Sequence, residues 1–105
     1  MSKLKKLISS QSELSFLQQL IPLIDNKLAG ARIYLFGSRA RSDYHRRSDV
    51  DILVEAEKIS DLSWLEINLE LENLPTLLKI DLLRADKLDQ VFLKHIKNES
   101  IRING

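Results

Sequence analysis

The residues best suited to chemistry lie between Gly37 and Asp51, where a Gly-Ser pair is followed by Asp-x-Asp, with ten residues separating Ser38 from Asp49. Gly37 and Ser38 follow Arg32 to Phe36, an aliphatic and aromatic run that predicts a short buried strand. They precede Arg39-Ala40-Arg41, which can open a short helix. A helix start leaves backbone N–H groups unpaired with the positive end of the helix dipole behind them, an arrangement that binds phosphate. Gly37 would let a phosphate approach without meeting a side chain, and Ser38 adds a hydroxyl. Arg39 and Arg41 could steady phosphate charge or serve as exposed structural residues. Taken alone, the Gly-Ser pair also fits an ordinary turn at the end of a strand.

Asp49 and Asp51 head a second apolar run, Val50 to Val54, and residues two apart in a strand point to the same side. Two neighbouring carboxylates repel, and an acidic pair at the head of an aliphatic strand is costly unless a cation neutralises it. Oxygen ligands of this kind suit Mg²⁺ or Mn²⁺ rather than zinc. The competing reading is a solvated turn, with Asp51 facing water. Asp81, alone among apolar neighbours in Lys79-Ile80-Asp81-Leu82-Leu83, is the third candidate. A strand carrying Asp81 beside the Asp51 strand would bring three carboxylates together, as a two-metal phosphoryl-transfer site requires. Otherwise Asp81 is an edge-strand acid facing solvent.

These residues need a scaffold, and 105 residues suffice for one small domain, read here as spanning 1–105. The chain has no cysteine, which removes disulfides and thiolate metal sites. Sixteen basic against fifteen acidic residues give a net charge of +1, so neither direct nucleic-acid binding nor membrane attachment has a general electrostatic basis. No apolar stretch is long enough to span a membrane, and the N-terminus does not read as a signal peptide, which predicts a cytoplasmic protein.

Leu14, Leu17, Leu20 or Ile21, Ile24 and Leu28 recur at helical spacing, with Ser10 and Glu13 as a capping box and Gly30 just past the end. Pro22 falls inside this pattern and should kink or divide the helix. From Leu62 to Leu74 the helical pattern carries two apolar stripes, Leu62, Leu65 and Leu69 on one side and Trp64, Ile67, Leu71 and Leu74 opposite. Pro75 closes this helix. Leu77 to Leu83 reads as a third strand, Asp86 as the cap of a last helix carrying Leu88, Val91, Phe92 and Ile96, and Ser100 to Asn104 as a short edge strand. The order predicts an α+β or mixed α/β domain, a small mixed β-sheet flanked by helices. Tyr34, Tyr44, His45, His95 and Trp64 read as packing or loop residues rather than chemistry.

Leu35-Phe36-Gly37-Ser38-Arg39-Ala40-Arg41, the ten-residue spacer and the Asp-x-Asp of an aliphatic strand together resemble the DNA polymerase beta-like nucleotidyltransferase superfamily. The short chain and the Gly-Ser-Arg-Ala-Arg wording are most similar to the minimal nucleotidyltransferases, the MNT antitoxins encoded beside HEPN-domain toxins. The resemblance implies that Gly37 and Ser38 hold a nucleoside triphosphate and that Asp49 and Asp51 bind two Mg²⁺ ions. Asp81 would be the third carboxylate, a metal ligand close to the attacking hydroxyl. Ser42 departs from the pattern, since a glycine usually ends the Gly-Ser-Arg-Ala-Arg segment.

The function implied is transfer of AMP from ATP to a hydroxyl, a tyrosine in first place, of a partner HEPN toxin, which silences it. Two other readings stay open: a non-catalytic antitoxin that blocks its toxin sterically, and nucleotidyl transfer to a small molecule. The stripe of Trp64, Ile67, Leu71 and Leu74 is the expected surface for a toxin or a second copy in a homo-oligomer, in competition with burial by the chain's own terminal helices.

Overall fold

In the computed structural model, residues 11–37, 50–74 and 79–105 are described, with side chains from residue 15 onward. Helix α1 spans Gln11–Lys27 and buries Leu17, Leu20 and Ile24 completely, with Phe16 and Leu28 nearly so. These are the positions that the three- and four-residue spacing singles out. The Ser10–Glu13 box and Leu14 lie outside the described residues or side chains. Pro22 does not divide the helix, which runs through it. Pro22 and Gln18, whose carbonyl loses its partner, are both exposed, so water can take the missing bond. The chain leaves α1 through bonds from Leu28 N to Ile24 O (2.8 Å) and from Ala31 N to Leu28 O (3.1 Å), and Gly30 takes φ +75° between them.

Among the described residues four strands follow: β1 (Arg32–Phe36), β2 (Val50–Glu55), β3 (Ile80–Arg84) and β4 (Ile101–Arg102). They form one mixed sheet in the order β3-β2-β1-β4. β1 pairs antiparallel with β2, from Arg32 opposite Glu55 to Phe36 opposite Asp51, and antiparallel with β4 on its other side. β2 and β3 are parallel, which requires a crossover, and α2 (Asp61–Glu72) supplies it. Past β4 the pairing with β1 continues through a bond from Ile103 N to Ile33 O (2.9 Å) and then through one side chain. Asn104 accepts from Ile33 N (2.8 Å) and donates to Ala31 O (2.7 Å), standing in for further ladder bonds.

The sheet is covered on both faces. Ile33, Leu35, Val50, Ile52 and Val54 face α1 and α2 in the larger core cluster. Leu53, Tyr34, Phe36 and Leu83 face the other way, against Ala85, Leu88, Leu93 and Ile96. The last three precede or belong to α3 (Gln90–Glu99), which follows a 3₁₀ turn over Ala85–Lys87.

Three expectations are corrected. Helix α2 turns Ile67 fully inward and packs Trp64, Leu71 and Leu74 against the core, while Leu62, Leu65 and Leu69 stand 66, 54 and 51% exposed. Of the two readings of the Trp64 stripe, burial within this chain holds, in a core to which α1 contributes Leu17, Leu20 and Ile24, and the Leu62 stripe is the spare one, because the Trp64 side carries more apolar surface to remove from water. Asp89, not Asp86, caps the last helix, accepting from Phe92 N at 2.9 Å. On α3 the inward residues are Leu93 and Ile96, whereas Val91 is 82% exposed.

Asp86 instead forms a fork with Arg84, accepting from Nε at 3.0 Å and Nη2 at 2.8 Å. Arg84 also donates to Asp61 (2.7 Å) and Ile59 O (2.8 Å), and its guanidinium lies 5.7 Å from the Trp64 ring centre. One side chain thereby ties the end of β3 to the start of α2, and the Asp86 and Asp61 bonds hold its proton more firmly than usual. A second cluster ties β1, β2 and α3. Glu55 accepts from Arg32 (3.0 Å), from Lys97 (3.0 Å) and, more weakly, from the Tyr34 hydroxyl (3.4 Å).

The orientation of α2 predicts that Ile67→Ala costs about 2–5 kcal/mol of unfolding free energy, while Leu65→Ser stays within about 0.5 kcal/mol, measured by chemical denaturation. Glu55 gives a pH prediction. Burial opposes its ionisation, but the Arg32 and Lys97 bonds outweigh it and hold the folded-state pKa below the ordinary 4.5. Its contribution is therefore complete above that ordinary value and lost as pH falls through the folded-state one. Glu55→Gln should lower stability at neutral pH by about 1–3 kcal/mol, and the difference from the parent chain should shrink on acidification below pH 4.5.

Candidate active site

Asp51 is the second residue of β2 and Asp81 the second of β3, and the parallel register sets them directly opposite each other. Paired residues of neighbouring strands project from the same face, and neighbouring strands lie about 4.8 Å apart. Two carboxylates so placed can reach one cation. The face is the one that α3 covers, since Leu53 and Leu83, two residues further along each strand, pack on Leu93 and Ile96. Asp51 and Asp81 occupy the part of that face nearest the strand starts, with Asp51 half-buried and Asp81 exposed. β3 is an edge strand, so Asp81 is at once an edge residue facing solvent and a neighbour of Asp51.

Gly37 closes the same corner. It directly follows Phe36, the residue of β1 opposite Asp51, and takes φ +74°. A Cβ added there would collide with the Asp51 carboxylate Oδ2 and come within 3.2 Å of its Cγ. The sequence offered phosphate approach as the reason for glycine. The strand pairing adds a requirement that no local pattern carries: the space beside Gly37 belongs to the carboxylate of a residue fourteen positions on. The contact is with the end of the Asp51 side chain, so a Cβ at position 37 would push the carboxylate from its place.

Ser38, Arg39, Arg41, Ser42 and Asp49 lie outside the described residues, as do Tyr44, His45, Pro75 and Leu77. Among the described residues no group of three His, Asp or Glu side chains could hold a metal ion. Asp51 and Asp81 are two of the three carboxylates in the expected set, and Asp49 precedes Val50 at the start of β2. Their donor chemistry fits Mg²⁺ or Mn²⁺, since all three offer oxygen alone. His95 is exposed on α3. An open cleft lined by Ala29, Gly30, Arg32, Ala56, Glu57 and Lys58 lies at the opposite end of β1 and β2 and contains none of the acidic set.

Comparison of two glycines tests the corner. Gly30→Ala meets nothing within 4 Å and should lose only the cost of positive φ, roughly 1–2 kcal/mol. Gly37→Ala carries the same conformational cost plus the collision with Asp51, and should be the more destabilising. Adding Asp51→Ala to Gly37→Ala should close most of the gap. A double-mutant cycle by denaturation measures the coupling, and values that simply add would contradict the contact.

Residues 18–104 match the family described as Polymerase beta, Nucleotidyltransferase. No match was found among curated proteins. Among solved structures, the fold is similar to a chain of a toxin–antitoxin crystallised with AMP-PNP, at TM-score 0.68 and 24% identity over 84% of this chain and 72% of that one. It is also similar to a chain of the Shewanella oneidensis complex of a tri-AMPylated HEPN toxin with its MNT antitoxin, at TM-score 0.62 and 21% identity over 86% and 70%. A nucleotidyltransferase structure from Sulfolobus solfataricus follows at TM-score 0.54 and 17% identity over 84% and 76%. At these identities the likeness speaks for the fold. The family match covers most of the chain: the chain belongs to the polymerase beta nucleotidyltransferase family.

Proposed function

We propose that this chain transfers AMP from ATP to a hydroxyl group, that of a tyrosine in first place, on a HEPN-domain toxin, and thereby acts as its antitoxin. The observation that carries the reading is the register of β2 on β3, which brings Asp51 and Asp81 together on an open part of the sheet within a nucleotidyltransferase family fold. The likeness to chains of toxin–antitoxin complexes, one with AMP-PNP and one with an AMPylated HEPN toxin, supports the partner and the transferred group.

In this reading Gly37, Ser38 and the two arginines, Arg39 and Arg41, cradle the triphosphate at the end of β1. Asp49, Asp51 and Asp81 would hold two Mg²⁺ ions, which would supply positive charge for the α-phosphate and the departing pyrophosphate. The acceptor oxygen attacks the α-phosphorus in line, a new O–P bond forms, and the bond from the α-phosphorus to the bridging oxygen breaks. Asp81, on the outer strand of the pair, receives the acceptor from the solvent side and takes its proton as the bond forms. The exposure of Asp81 suits this role, because a protein side chain must reach it from outside.

The test is intact-mass analysis of a co-purified toxin with ATP and Mg²⁺. A gain of one or more AMP units is expected, and Asp51→Asn or Asp81→Asn should slow it on the order of a hundredfold or more. No gain on the toxin, with a gain on a small hydroxylated substrate, would move the acceptor class. Full neutralisation by Asp51→Asn with the complex intact would make steric blocking the mechanism.

A further inference from the structure

We infer that the outer face of α2 is a docking seam for a helix of a partner protein whose apolar stripe is edged by lysine or arginine. Leu62, Leu65 and Leu69 form that face, spaced three and four apart as in the seam of a coiled coil, and each is more than half exposed. The helix beneath is fixed. Ser60 caps its start, accepting from Ser63 N at 3.0 Å, and Trp64, Ile67 and Leu71 anchor its inner side. The leucines are therefore presented on a rigid element, and their exposure is a property of the folded chain rather than of a frayed end.

The edges say what fits. At 100° per residue, Glu66 and Glu70 flank the leucines on one side, and Asp61 and Glu72 on the other. Helix α2 contains no basic residue. Among the described residues, three cations act on the edges from elsewhere: Lys27, 3.0 Å from Glu66 and 3.7 Å from Glu70, Arg84, which Asp61 shares with Asp86, and Lys87, whose charge acts on Asp61. With Asp86 on the same side, five carboxylates against three cations leave the seam bordered by negative charge. A second copy of this chain would bring the same acidic edges together, which is unfavourable. Three leucines also cover only part of the roughly 800 Å² per partner of a standard interface, so the edges must join the contact. A basic-edged partner lets them with the best charge match.

The seam lies on the α1–α2 side of the sheet, away from Asp51 and Asp81, so it can hold a partner while the carboxylates stay open. The inference does not depend on the transfer reaction. It is tested with two synthetic amphipathic helices of one leucine pattern, the first edged with lysine and the second with glutamate, titrated against the full chain. The lysine-edged helix should bind, the glutamate-edged one should not, and added salt should weaken binding. Leu65→Ser with Leu69→Ser should weaken it about tenfold or more without loss of folded structure, and Glu66→Gln with Glu72→Gln should do so to a smaller degree. Equal binding of both helices, or binding indifferent to the leucines, would overturn the inference. So would a dimer in sedimentation that Leu65→Ser dissolves, or much tighter binding by a chain lacking residues 1–10, which would make the occupant a second copy or the chain's own N-terminal segment.

Discussion

The parallel pairing of β2 with β3 is the constraint on which the rest of this molecule depends. Parallel neighbours cannot be joined by a tight turn, so the chain must leave the sheet, cross one face as α2 and return. That crossover fills the face opposite the carboxylates and leaves the second face to α3. It also fixes the register that sets Asp51 beside Asp81. Slipping one strand by a single residue would turn one of the two carboxylates into the α1–α2 core and an aliphatic side chain outward. Leu53 and Leu83, on the same face as the acids and buried or half-buried against α3, hold the register by hydrophobic burial.

The division of the sheet into two faces separates two kinds of surface. The carboxylates stand beyond the reach of α3, where the face it covers gives way to solvent. The leucines of α2 stand on the far side, where nothing in the chain's described residues covers them. Charge reinforces the scaffold between these surfaces. Arg84 joins β3, the 3₁₀ turn and the first residue of α2, and Glu55 gathers Arg32 of β1 and Lys97 of α3. Both clusters lie at the end of the strands away from Asp51 and Asp81.

Much of this was legible in the residues. The buried positions of α1, the two strands that flank the motif, the crossover helix and the short last strand all follow from period and punctuation, which are local properties. The Gly-Ser and Asp-x-Asp spacing pointed to the family, and Asp81 was singled out as an acid that its apolar neighbours could not explain. At Pro22 the helix continues rather than divides, at an exposed position where water can reach the Gln18 carbonyl.

What the sequence alone determined, then, is the kind of element at each position and the acidic residues available for chemistry. The tertiary structure decided which of those residues meet. An α2 with apolar residues on two sides has no preferred inward face until the sheet supplies one, and the sheet chose Trp64, Ile67 and Leu71. Asp86 and Asp89 are equally good caps until Arg84 claims the first. Gly37 could serve any turn until antiparallel pairing brings the Asp51 carboxylate into the space a side chain would need. Each of these choices rests on a contact between residues far apart in the chain, and local propensity carries no information about such contacts.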